Sequence, residues 1–219
     1  MARHTVTRAE KQKALEALDA EWLAKDLPLK AVATNVVPGE GNPDTDVLFI
    51  GEAPGKNEDL QGRPFVGAAG KFLDELISLI GLKREDVFIA NIIKHRPPGN
   101  RDPLPPEVEA YTPWLTEQIR IIDPKLIVAL GRYAMEYLLG PGLSITKIHG
   151  QPKRKNGRVI MPVYHPAAAL YRNDWKPILA ADFKKIPKIL QLIEQGKVGA
   201  EQSGAAEEEK VSEEQRALF

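Results

Sequence analysis

The sequence predicts an α/β domain of three layers, with helices on both faces of a central, mostly parallel, four-stranded sheet. Three observations lead there. Short apolar runs alternate along the chain with longer stretches of helical periodicity. Each run gives way to a polar or glycine-containing loop, as strands buried on both faces of a parallel sheet do. The 219 residues, 43% of them apolar, are enough for one sizeable core. The expected organisation is a single domain over residues 1–197, followed by an acidic tail over 198–219. Small and charged residues without apolar periodicity make that tail read as disordered.

From Thr5 to Leu23 the apolar residues Ala9, Leu15, Leu18 and Trp22 recur among charges at near-helical spacing, which predicts an amphipathic helix. Prolines and glycines between Val36 and Pro43 then break regular structure. Asp46 to Gly51 is the first expected strand. Phe72, Leu73, Leu76, Ile77 and Ile80 place a helix from about Ala68 to Ile80, ended by Gly81, and Val87 to Ala90 forms the second strand. A helix from Pro106 to Ile122, a strand from Leu126 to Leu130 and a helix from Arg132 to Leu139 follow; Gly140-Pro141-Gly142 closes the last of these. Arg158 to Val163 is the fourth strand, and Asp174 to Glu194 is helical, with a kink expected at Pro187. Crossovers of this kind leave strands parallel, and such sheets take ligands beyond the carboxyl ends of their strands. Three polar segments occupy those ends: Gly51 to Phe65, Asn91 to Asn100, and Tyr164 to Asn173.

Composition narrows the chemistry. The chain has no cysteine, so disulfides, thiolate catalysis and clusters held by Cys sulfur are excluded; carboxylates, imidazoles, amides and backbone groups must do the work. Thirty basic and thirty acidic residues balance overall, which argues against indiscriminate coating of nucleic acid. The balance is uneven, however. Residues 201–219 hold six acids against Lys210 and Arg216, a net of −4, so residues 1–200 carry +4 and can grip DNA locally. No run approaches the roughly 18–20 apolar residues of a membrane span, and Met1-Ala2-Arg3-His4 lacks the apolar core of a signal peptide. A soluble, cytoplasmic, nucleoid-associated monomer is expected, with no membrane partner.

The first polar segment reads Gly51-Glu52-Ala53-Pro54-Gly55-Lys56-Asn57-Glu58-Asp59 and continues through Gly62-Arg63-Pro64-Phe65-Val66-Gly67. Its glycines and Lys56 invite comparison with a phosphate loop, but the spacing is wrong and the carboxylates would repel phosphate. A turn that merely needs glycine explains neither two carboxylates nor an aromatic beside them. GEAPG with a following Glu58-Asp59, then GRPFVG, then Asn91 in NIIKHRPPGNR and His165 in YHPAA together resemble the family-four, iron–sulfur type of uracil-DNA glycosylase. The resemblance runs from about Pro28 to the last helix and includes VVPGEGNP and SITKIHG. It implies a uracil-DNA glycosylase-like fold and a monofunctional enzyme of base excision repair. Such an enzyme hydrolyses the N-glycosidic bond of deoxyuridine, releasing uracil and leaving an abasic site.

The family also implies four cysteines around a four-iron cluster. The corresponding positions are Ala24, Leu27, His95 and Tyr111. Ala24 and Leu27 bind no metal and one imidazole is too few, so no metal or cofactor is expected; apolar and aromatic packing should fasten the N-terminal segment instead.

The resemblance assigns roles to particular residues. Phe65 would stack on an everted base; a core phenylalanine behind the loop is the alternative. Asn91 presents an amide able to pair with uracil N3–H and O4, whereas cytosine offers the opposite pattern; a strand-end Asn that satisfies local backbone is the alternative. His165 would donate to uracil O2 as negative charge develops on the leaving base. Glu52, or failing that Glu58, would orient the attacking water. Other glycosylase families carry an acid at the position of Ala53, which here can only line the pocket. Arg63, Lys94, Arg96, Arg101 and Arg172 are candidates for phosphate contacts, with a solvated surface charge as the alternative for each. Finally Gln215-Arg216-Ala217-Leu218-Phe219 resembles the bacterial sliding-clamp-binding peptide, with Gln215, Leu218 and Phe219 as anchors. Two other readings compete with the enzyme: a protein that captures uracil-containing or abasic DNA without turnover, and a relative that keeps the fold but not the activity.

Overall fold

The computed structural model describes residues 6–198. The tail beyond residue 198, with Gln215, Leu218 and Phe219, lies outside the described residues. Four parallel strands form the centre of the sheet: β2 (Val47–Gly51), β3 (Phe88–Asn91), β4 (Leu126–Leu130) and β6 (Arg158–Val163). Two short antiparallel strands flank them, β1 (Glu40–Gly41) on β3 and β5 (Lys153–Lys155) on β6, giving the order β1-β3-β2-β4-β6-β5. The α/β class is as expected, and the sheet has six strands rather than four. The two additions are edges of two and three residues, too short to carry an apolar alternation that sequence could register.

Period-two alternation in the strands builds two cores. Leu48, Ile50, Ala90, Ile127, Ala129 and Ile160 face α1 (Arg8–Leu23), α4 (Pro105–Ile122) and α5 (Arg132–Leu139). Val47, Phe49, Ile89, Val128, Leu130, Met161 and Val163 face α3 (Ala68–Ser78), α8 (Trp175–Phe183) and α9 (Ile186–Glu194). The expected single helix to Glu194 is thus two. Pro187 lies in the first turn of α9, where its missing N–H costs nothing, so the chain breaks just before it instead of kinking there. Three short helices, α2 (Lys56–Gln61), α6 (Ile145–Ile148) and α7 (Pro166–Tyr171), arise inside segments that read as loops.

The N-terminal helix is fixed at both ends. Thr7 caps it: the Glu10 N–H donates to Thr7 Oγ1 (3.3 Å) and the Glu10 carboxylate accepts from the Thr7 N–H (2.7 Å). At the other end Trp22 stacks on the fully buried Trp114 of α4, ring centroids 5.8 Å apart, and Trp114 Nε1 donates to Asp19 Oδ1 (2.9 Å). Of the four positions where the family resemblance implies cysteines, Ala24 is exposed and Leu27 is packed in the core. His95 Nδ1 and the Tyr111 hydroxyl, both buried, are hydrogen-bonded at 2.6 Å. These side chains do not fit an iron–sulfur cluster, and among the described residues no group of three His, Cys, Asp or Glu gathers to hold a metal. No helix among them is long and apolar enough to cross a membrane.

Candidate active site

The parallel register sets Gly51 and Asn91 side by side at the carboxyl ends of β2 and β3. With Asn91 and Phe65 where they stand, position 51 has room for no side chain. A Cβ there would stand 2.5 Å from Asn91 Oδ1 and 2.8 Å from the Phe65 ring, so its absence brings amide and ring together. Across the sheet, β6 ends at Val163 and the chain turns through Tyr164 to His165, the residue preceding α7. The Phe65 and His165 rings stack with centroids 5.6 Å apart and planes 27° from parallel. Phe65, Asn91 and His165, three of the residues singled out in the sequence, therefore converge at one rim.

Each carries a feature that packing alone does not require. Asn91 is 2% exposed, and its Oδ1 is buried with no hydrogen-bond partner. An orphaned buried acceptor typically costs about 1–3 kcal/mol, so an acceptor held open here suits a donor that arrives from outside. The alternative in which this amide oxygen satisfies local backbone does not apply. His165 Nδ1 accepts from the Ala167 N–H (3.1 Å), which leaves the ring proton on Nε2. Burial pushes its imidazole down to about 4 against a smaller opposing effect of Glu58, so it is a neutral N–H donor at ordinary pH. Phe65 has φ 49°, a left-handed conformation that costs a bulky residue of order 1–3 kcal/mol. Glu58 Oε1 accepts from the Val66 and Gly67 N–H groups (2.9 and 3.0 Å), which ties this carboxylate to the turn that bears Phe65.

Glu52 follows Gly51 directly. It lines an apolar cavity of about 630 Å³ between α4 and α5, with Ile92, Pro103, Val108, Tyr133 and Tyr137. Burial, then the charge of Asp102, pushes its carboxyl up to about 7, with Arg132 opposing. Ala53 is half-buried against the core beneath it.

Among the expected phosphate contacts, Lys94 is a correction. It is wholly buried; its Nζ donates to the Asn91 carbonyl (2.8 Å) and to Gln118 Oε1 (2.6 Å), and burial pushes its ammonium down to about 7. A charge in a polar segment reads as surface, but the loop after β3 dives under α4. The other four reach solvent and have local partners. Arg63 makes two bonds to Glu40 (2.6 and 3.0 Å), and Arg101 two to Glu107 (2.8 and 2.5 Å). Arg96 bonds Asn100, and Arg172 pairs with Asp174 above the Trp175 ring. Arg84, which no motif marks, donates to the carbonyls of Pro64 and Phe65.

Residues 38–191 match the uracil DNA glycosylase superfamily. The type-4 uracil-DNA glycosylase of Sulfurisphaera tokodaii is 49% identical over 185 residues, covering 80% of this chain and 84% of that protein. Those of Saccharolobus solfataricus and Archaeoglobus fulgidus are 48% and 45% identical, covering 71% and 74% of this chain and 76% and 85% of theirs. The match spans the sheet and all three converging residues, and it holds without a single cysteine in the chain. The chain belongs to the uracil-DNA glycosylase superfamily, on its type-4 branch.

Proposed function

We propose that this protein excises uracil from DNA, with Asn91, Phe65 and His165 binding the everted base and Glu52 serving the attacking water. The observation that carries this reading is the buried, unpartnered Oδ1 of Asn91 beside the Phe65 and His165 rings. Uracil N3–H supplies the missing donor, while the Asn91 Nδ2 donates to O4. Cytosine has a lone pair at N3 and an amino group at C4, so it sets acceptor against acceptor and donor against donor. As the C1′–N1 bond breaks, its electron pair moves onto the base, and the neutral His165 Nε2–H donates to O2. Positive charge grows on the sugar, where the Glu52 carboxylate, when ionised, stabilises it and orients water. Water oxygen bonds C1′ and gives up a proton that, in the net reaction, neutralises the departing uracil anion; the products are uracil and an abasic sugar. Glu58 is better suited to hold the loop than to meet the water, because its Oε1 already serves two backbone amides.

The surface arginines Arg63, Arg96, Arg101 and Arg172 surround this work as phosphate contacts, and the monomeric enzyme acts at the nucleoid. The terminal Gln215, Leu218 and Phe219 form a tether to a sliding clamp; unchanged clamp binding after deletion of residues 215–219 disposes of that role. Excision itself is tested with single- and double-stranded oligonucleotides that contain one uracil, followed by alkali. Strand breaks at uracil and none at cytosine are expected. Intact strands, or a gel-stable protein–DNA adduct in place of turnover, would overturn the reading.

A further inference from the structure

We propose that Arg84 and Glu58 are positioning residues for excision: between them they lock the two peptide groups on either side of Phe65 and so hold its ring against His165. The proposal rests on the pocket described above, and concerns how a disfavoured backbone conformation is maintained there.

Arg84 sits in a 3₁₀ turn, Arg84–Asp86, just before β3. Two carboxylates from different elements aim its guanidinium: Nε donates to Glu40 Oε1 (2.8 Å) on β1 and Nη1 to Asp74 Oδ1 (2.9 Å) on α3. The remaining donors point at the Phe65 turn, Nη1 to the Phe65 carbonyl (3.1 Å) and Nη2 to the Pro64 carbonyl. From α2, Glu58 Oε1 takes the N–H of Val66, the other end of the peptide group whose carbonyl Arg84 holds, and also the N–H of Gly67. The geometry is restrictive. The φ and ψ of Phe65 describe rotation between the Pro64–Phe65 and Phe65–Val66 peptide planes. Arg84 holds the carbonyl of each plane, and Glu58 holds the amide of the second. Phe65 cannot leave φ 49° for the ordinary region without breaking at least one of these bonds. Gly70 completes the fit, since a Cβ at that position would collide with the Phe65 carbonyl. A planar fork with several fixed donors can hold two successive carbonyls and two carboxylates together; a lysine ammonium cannot match that set.

The test compares Arg84→Met, Arg84→Lys, Glu58→Ala and Phe65→Ala. Lys125→Gln is the control, losing an ion-paired cation that bridges Asp46 and Glu194 away from the pocket. Single-turnover excision is measured with enzyme in saturating excess over a uracil oligonucleotide, alongside oligonucleotide affinity and melting temperature. The His165 ring-proton NMR shifts report the Phe65 ring current in the free protein and need no activity. Arg84→Met and Glu58→Ala should lower the single-turnover rate roughly 10–100-fold, the scale for a displaced active-site group. Oligonucleotide affinity should hold, and the His165 signals should move toward those of Phe65→Ala. Arg84→Lys should recover part of both readouts, and Lys125→Gln should match the wild type. A lower melting temperature with wild-type rate and wild-type His165 shifts would overturn the proposal by making Arg84 merely structural. If Arg84→Met does not fold, Arg84→Lys decides by the same two readouts. Should the wild type leave uracil DNA intact, the functional reading fails separately. The NMR shifts still decide the positioning: retained shifts in the variants overturn it and displaced shifts support it.

Discussion

Asn91 and His95 lie four residues apart on one segment, yet they belong to opposite kinds of polar cluster. At Asn91 a buried acceptor is left without a partner, beside a phenylalanine in a disfavoured conformation and an imidazole held neutral. Around His95 the buried polar groups are paired: His95 with Tyr111, Lys94 with Gln118 and the Asn91 carbonyl, Trp114 with Asp19. Gln118 in turn donates to the Pro38 carbonyl (2.9 Å), joining α4 to the segment before β1. The contrast separates what a structure holds open for a ligand from what it closes for stability. In family-four enzymes the second region is where the sequence resemblance implies a cluster. Here aromatic stacking and hydrogen bonds occupy it.

If this division is right, substitutions in the two regions should have separable effects. The largest is expected at the rim. Asn91→Ala and His165→Ala should each lower single-turnover excision about 10²–10³-fold, the range for loss of one preorganised donor or acceptor. Asn91→Ala should melt close to the wild type, since Asn91 Oδ1 has no internal partner to lose, while His165→Ala should melt lower because it removes the acceptor of the Ala167 N–H and the ring stacked on Phe65. Full activity in either would end the assignment. Trp114→Ala should do the reverse. Emptying a wholly buried indole stacked on Trp22 should cost about 3–5 kcal/mol of stability in denaturant melts, with the excision rate of the remaining folded protein unchanged. Tyr111→Phe is milder, about 1–3 kcal/mol, because it leaves the buried His95 Nδ1 without its partner. A Tyr111→Phe protein that melts normally but excises poorly would erase the distinction between the regions.

The smallest effects lie in pH. Glu52 titrates at about 7 in the folded protein, so the excision rate should rise with pH through that value if its ionised form serves the water. In Glu52→Gln that limb should vanish. His165, at about 4, adds no limb between pH 5 and 7. Stability moves the other way. The folded pKa of Glu52 lies above its ordinary value of 4.5, so the stability linked to its protonated form is complete below about 4.5 and is lost as pH rises through about 7. Melting curves of Glu52→Gln should therefore gain on the wild type between pH 5 and 8. A pH-independent gap would contradict the raised pKa.

Much of the rim was legible because its residues sit in loops directly after apolar runs. Gly51, Asn91 and His165 can be assigned to the ends of β2, β3 and β6 from hydrophobic patterning alone. Arg84 was not legible: it stands in the charged stretch Lys83-Arg84-Glu85-Asp86, and nothing local tells that it reaches back to Phe65. Lys94 misled for a related reason, since the polarity of a segment predicts exposure only until another element covers it. The edge strands β1 and β5 escaped because a strand of two or three residues has no periodicity to detect. Glu52 could be named as an acid at the strand end, but that its side chain turns toward the cavity between α4 and α5 depends on how those helices dock.

The sequence by itself determined the alternation of buried strands and helices, the absence of thiol chemistry, and which side chains stand at the sheet's carboxyl rim. Those properties depend on residue type and on spacings of a few residues. The tertiary structure decided which polar groups remain open and which are closed, and it drew Arg84, Glu40 and Glu58 from three separate segments onto one turn. Hydrogen-bond satisfaction inside a protein is a property of neighbours in space, and chain order does not encode it.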